Sequence, residues 1–330
     1  MREFKSKPAI RESVPLLIGL MGPSGSGKTY SALRLAYGIQ KVTGGKIYGI
    51  DTEARRMLHY ADQFTFEHLQ FDAPFGSLDY LSAIKHCVSQ GAKVVIVDSM
   101  SHEHEGPGGL LDSHDKELDR LAGTDYAKRE RVKFLAWQKP KADRRTLITR
   151  LLQMNCNFIF CFRAKESIKM TGTKIIPMGW QPIAGDEFVF EMTVNCLLLP
   201  ASQGIPTWTS EIPGERQMIK SAKQFEGWFS NNRQLDEKLG EQFAHWAKGS
   251  KAAEEQTPEL DSETLVKMEL VLEAAAKEGM EALRQEWSDL PREARDILKP
   301  ALDSKYKKMA TMVDAERDAA TDPSESETEG

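Results

Sequence analysis

Eight consecutive residues near the start of the chain have the types and order of a loop that binds phosphate. Residues 22–29 read Gly-Pro-Ser-Gly-Ser-Gly-Lys-Thr and directly follow the apolar segment Leu16–Met21. Glycine lets backbone N–H groups turn toward an anion without a Cβ in the way, and the N-terminus of a following helix favours negative charge. Lys28 would reach the β- and γ-phosphates, and the Thr29 hydroxyl would bind Mg²⁺. The pattern therefore predicts a site for ATP and Mg²⁺, contacted by Gly22, Pro23, Ser24, Gly25, Ser26, Gly27, Lys28, Thr29 and the adjacent Tyr30.

Two carboxylates that follow apolar runs could complete such a site. Asp98 ends the run Val94–Val97 and could hold the magnesium-bound water, with Thr29 as the second metal-site residue. The bland alternative is an aspartate that caps whatever follows a buried strand. Glu53 follows the run 46–50 and could deprotonate the water that attacks the γ-phosphate, or it could stabilise a helix dipole from a first turn. Together with Lys28, these carboxylates are candidate catalytic residues.

Alternating apolar runs and helical patterns must position these side chains. Strands are predicted at 46–50, 64–71, 93–98 and 157–162 besides the run before the loop, and helices at 27–40 and 78–90, with a helix-rich insertion at 106–153. Runs made almost wholly of Val and Ile are typical of strands buried on both faces of a parallel sheet. We therefore predict an α/β fold with a mostly parallel central sheet flanked by helices, and a ligand at the carboxyl ends of the strands.

The second half of the chain changes character. Residues 167–208 predict a hairpin-rich extension with alternating apolar strands around Phe188–Leu199, and a helix over 222–248 would close a first domain at 1–248. A polar linker is predicted at 249–262, a helical module at 263–313 and a disordered acidic tail at 314–330. About 50 residues could bury only a marginal core alone, so we expect the helical module to dock a partner.

Composition narrows the classes of protein. The chain has 330 residues, of which 40% are hydrophobic and 28% charged, and this fits a globular protein. No run approaches the ~20 apolar residues of a membrane span, and residues 1–15 contain no apolar leader, so we expect a cytoplasmic protein without a membrane partner. The four cysteines show no paired spacing, which argues against a disulfide framework or a structural zinc site.

Two polar segments have more than one interpretation. Residues 128–150 carry nine basic side chains against two acidic ones, which suits a solvated helix face, a DNA track or the source of an arginine finger. Arg144 and Arg145 are the candidate DNA contacts in this run. Residues 102–105 read His-Glu-His-Glu and could bind a transition metal, although loop residues near the magnesium without a metal of their own are the favoured interpretation.

The segment around Glu53 resembles the RecA recombinases. Asp51-Thr52-Glu53 follows the strand after the loop's helix, and the aromatic Tyr60 comes seven positions after the glutamate. The resemblance implies that Tyr60 stacks on adenine, whereas the residue type alone is more typical of a core position. It also implies that Arg163, just after the strand 157–162, senses the γ-phosphate and precedes a mobile loop that touches DNA.

That loop has the composition of a single-strand site. Lys165, Lys169 and Lys174 lie in it together with Trp180. In single-strand sites, cations follow the phosphates and rings stack on the bases. A solvated surface hairpin is the alternative interpretation.

Taken together, residues 16–199 look most like the compact RecA-like P-loop ATPases of phages, the Sak-type single-strand annealing proteins. The resemblance implies an ATPase that binds single-stranded DNA, assembles as a homo-oligomeric ring or filament, and promotes annealing or strand exchange, in the host cytoplasm if the chain is phage-encoded. A single-strand-binding protein is a further candidate partner. Two other interpretations stay open: a nucleotide kinase-type phosphotransferase whose basic run forms a lid, and a nucleotide-dependent scaffold that recruits replication proteins.

Overall fold

Apolar runs along the chain form the strands of one seven-stranded sheet in the computed structural model, which describes residues 13–225, 227–229, 233–249, 262–290 and 292–321. The strand order is β3-β2-β4-β5-β1-β7, with β6 paired to the far part of β5. All pairings are parallel except that of β5 with β6, which is antiparallel. The strands are β1 Leu17–Gly22, β2 Lys46–Asp51, β3 Glu67–Gln70, β4 Ala92–Asp98, β5 Asn157–Thr171, β6 Lys174–Pro182 and β7 Val194–Leu197.

Helices cover both faces of this sheet, and its central strands are almost wholly buried. Every residue of β1 is buried, as is every residue of β4 except Lys93, and separate hydrophobic clusters fill the two sides. The α/β prediction is confirmed at this level. The helices of this unit are α1 Lys28–Thr43, α2 Ser77–Ser89, α3 His102–Glu105, α4 Leu110–Ala122, α5 Tyr126–Val132, α6 Gln138–Leu151, α7 Asp186–Val189, α8 Pro213–Met218 and α9 Glu237–Ala247.

The register of the parallel strands places the carboxyl ends of β1, β2 and β4 next to one another and to the middle of β5. Gly22 at the end of β1 pairs with Arg163 of β5, and Asp98 at the end of β4 pairs with Cys161 of the same strand. Asp51 at the end of β2 pairs with Asp98. Because the carboxyl ends of parallel strands meet at one edge of a sheet, residues far apart in sequence converge there.

Helix α9 packs closely against α1, the helix that follows the glycine-rich loop. A Cβ added at Gly38 of α1 would lie 2.0 Å from the carbonyl oxygen of Glu237, so only glycine allows this approach. The Arg34 guanidinium also pairs with the Glu237 carboxylate at 2.8 Å. α1 is therefore held in place along its length by α9.

Three predicted elements differ from the structure. β3 is shorter than predicted, and β5 continues nine residues past Phe162 because it leaves the sheet to pair with β6. Phe188 lies in the short helix α7, and the Val194–Leu197 segment is a fully buried parallel strand beside β1 instead of part of a hairpin. All four residues of this segment are buried. Burial on both faces is typical of a strand in a parallel sheet.

The predicted helix over 222–248 is also wrong in its first half. α9 begins only at Glu237, where the Asp236 side chain caps it by accepting the Leu239 N–H at 2.8 Å. Before it, a 3-10 turn at Lys223–Phe225 places the Phe225 ring against the core, where it contacts Phe243 of α9 edge-on. Aromatic residues can pack against a core from an irregular segment as well as from a helix. Their apolar spacing in the sequence therefore led to the prediction of a helix that the structure does not contain here.

A boundary between Ala252 and Ala253 separates a second compact unit. Its described residues form α10 Ser262–Glu278, α11 Met280–Asp289, α12 Arg292–Ala301, a π-helical turn at Leu302–Tyr306 and α13 Lys307–Thr321. Their core contains Leu272, Ala276, Leu283, Leu298, Leu302, Tyr306 and Ala310.

The predicted disordered tail at 314–330 is wrong for its first residues, because α13 continues to Thr321. Asp314 takes part in the packing of this unit, and its carboxylate accepts the Met280 N–H at the start of α11. The rest of the predicted tail, residues 322–330, and most of the predicted linker, residues 250–261, lie outside the described residues. Among the helices that are described, none has the length and apolar character to cross a membrane.

Candidate functional site

The glycine-rich loop joins the buried strand β1 to helix α1. Gly25 and Gly27 have φ angles of +77° and +85°, in the left-handed region that favours glycine. No side chain caps the N-terminus of α1, and its first turn contains no acidic residue. The loop's N–H groups and the helix N-terminus can therefore be offered to an anion.

The Lys28 ammonium lies inside the loop. Its Nζ donates to the carbonyl oxygens of Gly22 and Pro23 at 2.9 and 2.7 Å. Burial lowers the pKa of Lys28, while the nearby Asp98 and Glu53 carboxylates raise it. A cation held by weak dipoles in a buried position can transfer those bonds to phosphate oxygens, which are stronger acceptors.

Thr29 and Asp98 place two oxygen atoms that could bind a metal ion beside this lysine. Thr29 Oγ1 donates to Asp98 Oδ2 at 2.5 Å, and Asp98 is only 5% exposed. Burial raises the pKa of Asp98 to about 6, against the opposing effects of the Thr29 hydrogen bond and the Lys28 charge. A hydroxyl and a carboxylate suit Mg²⁺, a hard cation that takes oxygen ligands and keeps several waters.

A strained turn after β2 presents Glu53. Ala54 and Arg55 both have positive φ, at 56° and 66°, which is rare for residues with a Cβ. The buried Asp51 carboxylate fixes this turn by accepting the N–H groups of Glu53 and Met57 at 2.8 and 3.0 Å. Asp51 therefore acts as a positioning residue, a role that the sequence pattern Asp-x-Glu did not reveal.

Glu53 and Arg163 form a close ion pair across the site. Glu53 Oε1 accepts from Arg163 Nε at 2.7 Å and from Nη2 at 2.6 Å. The second carboxylate oxygen faces Arg56 Nη1 at 3.4 Å. The candidate base and the candidate sensor, 110 residues apart, are thus one unit in this conformation, and the carboxylate is held by two arginines.

Thr52 ties the ends of β2 and β4 together next to this pair. Its Oγ1 accepts the Ser99 N–H and contacts His102 Nδ1, both at 2.8 Å. Tyr80 donates to the Ser99 carbonyl at 2.8 Å. The sequence did not reveal this supporting role; Thr52 alone had a local signal, its place between Asp51 and Glu53 directly after a strand.

The structure brings most of the predicted site residues to one place. A cavity of about 80 Å³ at the carboxyl edge is lined by Ser24, Gly25, Gly27, Lys28, Thr29, Glu53, Arg56, Asp98 and Arg163. Arg56 was not predicted. The arrangement can hold an anion on the loop and a hard cation on Thr29 and Asp98, and it places the Glu53 carboxylate in the lining of the same cavity.

A larger cleft of about 690 Å³ continues from the loop along α1. Tyr30 lines it, whereas Tyr60 packs against Tyr30 with ring centroids 5.7 Å apart. The ring at the cleft wall is therefore Tyr30, and Tyr60 supports it from a half-buried position. Its other lining side chains, which the sequence did not single out, include Ser31, Arg34, Gln203, Gln234 and Glu237.

The lysines after Arg163 lie on a hairpin outside the parallel sheet. β5 pairs with its parallel neighbours only as far as Arg163, and beyond it pairs with β6 alone. Lys165, Lys169 and Lys174 are exposed there. Trp180 is half-buried and packs against the core, so its ring is less available than the sequence suggested.

The prediction that Arg144 contacts DNA is wrong, and its position also excludes it as an arginine finger. It is 1% exposed, and its guanidinium binds the buried Glu103 carboxylate at 3.1 and 2.6 Å and Glu187 at 3.2 Å. A charge so enclosed by carboxylates cannot reach a phosphate. Arg145, one residue further along α6, is exposed.

The side chains of the His-Glu-His-Glu segment make ion-pair and hydrogen-bond contacts within the fold. Glu103 pairs with Arg144, His104 Nδ1 contacts the same guanidinium at 3.0 Å, and His102 contacts Thr52. The described part of the chain contains no group of three or more His, Cys, Asp or Glu side chains placed to hold a metal.

No protein-family model matches the chain, and no curated protein matches it significantly.

Proposed function

We propose that the chain is a Mg²⁺-dependent ATPase with a RecA-like P-loop core that acts on single-stranded DNA in annealing or strand exchange. The observation that supports this most is the convergence of Lys28, Thr29, Glu53, Asp98 and Arg163 around one cavity at the carboxyl edge of the sheet. These residues come from the start of α1, the turn after β2, and the strands β4 and β5, and they could supply a phosphate cradle, a cation site and a base. Nucleotide hydrolysis needs all three.

Each residue has a role that its contacts allow. Lys28 would exchange the carbonyls of Gly22 and Pro23 for phosphate oxygens. Thr29 and Asp98 would hold Mg²⁺, which neutralises developing charge on the phosphates when bound. Glu53 would accept a proton from the attacking water once Arg163 turns from it toward the γ-phosphate. Hydrolysis would therefore depend on the Glu53–Arg163 ion pair: Glu53 becomes free to act as a base only when Arg163 binds the γ-phosphate instead.

A connection to DNA is supported by the strand that carries Arg163. The same strand, β5, continues directly into the hairpin with Lys165 and Lys169. A change in the position of Arg163 would therefore be transmitted along a continuous strand to exposed cations. This supports ATP as a switch for a nucleic-acid contact, and self-assembly into a ring or filament stays part of the proposal.

The first experiment is steady-state ATP hydrolysis with and without single-stranded DNA. We expect stimulation by DNA in the wild type and none of it in Lys28→Ala. Lys41→Ala is the matched control, because Lys41 lies on the same helix but is exposed and pairs with Glu241.

Other outcomes separate the alternatives. Hydrolysis that is indifferent to DNA would overturn the DNA part, and a screen of nucleotide acceptors would then test a kinase. Equal activity of Lys28→Ala and the wild type would contradict the nucleotide site itself. Nucleotide binding without turnover would favour the scaffold.

A further inference from the structure

Two aromatic rings project from the helical insertion between β4 and β5. Tyr126 is 77% exposed and Phe134 is 86% exposed. No residue of α5, which begins at Tyr126, is buried. Leaving such rings in water forfeits the free energy that burial of their apolar area would bring, so an arrangement of this kind suggests a partner. We call residues 126–141 the α5 surface.

Helical geometry places one of these rings on the free side of α5. Arg129 and Val132, three positions apart, are half-buried, and Arg129 pairs with Asp119 of α4. Lys133 and Phe134 keep right-handed helical dihedrals. With 3.6 residues per turn, Ala127, Arg131 and Phe134 form a stripe on the side opposite the one that faces α4.

The charge of this surface identifies the chemistry of the partner. Five basic side chains between Tyr126 and Lys141 are exposed, against the single exposed carboxylate of Glu130. These are Lys128, Arg131, Lys133, Lys139 and Lys141. Among the described residues, none of the five has a carboxylate within ion-pair distance; Lys141 lies over the Trp137 ring, 5.7 Å from its centroid. A surface with unpaired cations favours a polyanion.

We infer that the α5 surface binds single-stranded nucleic acid, with Tyr126 and Phe134 stacked on bases and the neighbouring cations on phosphates. This rests on the proposed function and adds a second contact to the hairpin of β5 and β6. Unpaired bases expose faces on which rings can stack, whereas a duplex keeps its base faces covered. Rings and cations together therefore favour a single strand over a duplex.

The test measures binding of the full chain to a fluorescently labelled oligothymidylate by anisotropy. Phe134→Ala and Tyr126→Ala should each weaken binding about tenfold, and the double variant should weaken it further. Phe134→Tyr should restore most of the affinity because it keeps a ring. Phe190→Ala is the matched control, since Phe190 is an exposed ring, 54% exposed, elsewhere in the same unit.

Cation removal gives an independent measurement. Lys128→Ala combined with Arg131→Ala should lower the slope of log affinity against log salt by about 0.7 for each phosphate that the protein no longer neutralises. ATP hydrolysis without DNA should be unchanged in all of these variants. Circular dichroism of each variant checks that the fold is intact.

The outcomes separate this inference from the proposed function. A double ring variant that binds as tightly as the wild type overturns the α5 surface but leaves the proposed function standing. The same loss of affinity for a labelled duplex overturns stacking on bases. Loss of self-association with unchanged DNA affinity assigns the rings to a contact between copies of this chain instead. A wild type that binds no single strand at low salt contradicts the proposed function, and this inference with it.

Discussion

The carboxyl edge of the sheet and the segments that project from the fold differ in the burial and pairing of their charged side chains. At the edge, Lys28 and Asp98 are buried, and each is held by hydrogen bonds within 3 Å. On the hairpin and the α5 surface, cations such as Lys169 and Lys128 are exposed and lack such partners among the described residues. Buried charges are costly unless geometry satisfies them, so the edge suits a small ligand of fixed shape, as the proposed function requires. The projecting surfaces suit a long, variable polyanion.

The backbone differs in the same way between the two regions. The turn at Ala54 and Arg55 keeps two unfavourable φ angles because Asp51 fixes it through two hydrogen bonds. α5, in contrast, has ordinary helical geometry and no buried side chain. Strain that is retained in a tightly bonded turn indicates a position that must be accurate. The base stacking that we propose for α5 needs no comparable accuracy, because bases of any kind offer a π-face.

The largest expected effect comes from Glu53→Gln. The amide cannot accept a proton, so ATP hydrolysis should fall by about 10²–10⁴-fold while nucleotide binding changes little. Single-turnover hydrolysis and equilibrium binding measure the two separately. Glu67→Gln, at an exposed glutamate on β3, is the control. A wild-type rate in Glu53→Gln would assign the base to another group and remove the functional reason for the strained turn.

The next prediction compares a buried charge with an exposed one on the same helix, α6. Arg144→Ala would leave the Glu103 carboxylate buried without its cation, which costs about 3–5 kcal/mol of unfolding free energy. Arg145→Ala, at the exposed neighbour, should change it by less than about 0.5 kcal/mol. Urea denaturation of both variants measures the difference. Equal stabilities would mean that the buried pair contributes nothing to the fold.

These two neighbouring arginines also explain how far the sequence could predict the molecule. The glycine-rich loop, and β4 with Asp98 at its end, depend on short patterns, glycine spacing and a continuous Val–Ile run, so they were predicted from the residues alone. The burial of Arg144 depends on Glu103, 41 positions away, and no local pattern contains that information.

Other differences have the same origin. The Glu53–Arg163 pair joins two strand ends across the sheet, so its partners become neighbours only through the strand order. Tyr30, instead of Tyr60, lines the cleft because packing of the two rings decides which one faces outward. The start of α9 had a local signal in the capping Asp236, but aromatic residues before it imitated a helical pattern.

A smaller effect, on stability, is expected from Asp98→Asn. The folded-state pKa of Asp98, about 6, lies above its ordinary value of 3.8. The folded protein thus binds this proton more tightly than the unfolded chain, and wild-type stability falls as pH rises from 3.8 through 6. Asparagine has no such loss, so at pH 7 the variant should be more stable by about 1–3 kcal/mol.

Thermal unfolding of the nucleotide-free protein between pH 4 and pH 7 measures this effect. The stability difference between Asp98→Asn and wild type should grow over that range, and Asp62→Asn, at an exposed aspartate, should show no such growth. The same Asp98 variant should lose the Mg²⁺ dependence of ATP binding. A difference in stability that stays constant from pH 4 to pH 7 would contradict a buried carboxylate that is costly to ionise.

The smallest effect concerns the hairpin. Replacing Lys165, Lys169 and Lys174 with alanine should lower the slope of log affinity for oligothymidylate against log salt by about 2, since each phosphate contact on a single strand contributes about 0.7. Hydrolysis without DNA should be retained, because all three side chains lie beyond Arg163 and outside the cavity. Lys85→Ala, at an exposed lysine of α2, is the control. An unchanged slope in the triple variant, with a reduced slope in the α5 variants, would make α5 the main contact and leave the hairpin as a solvated extension.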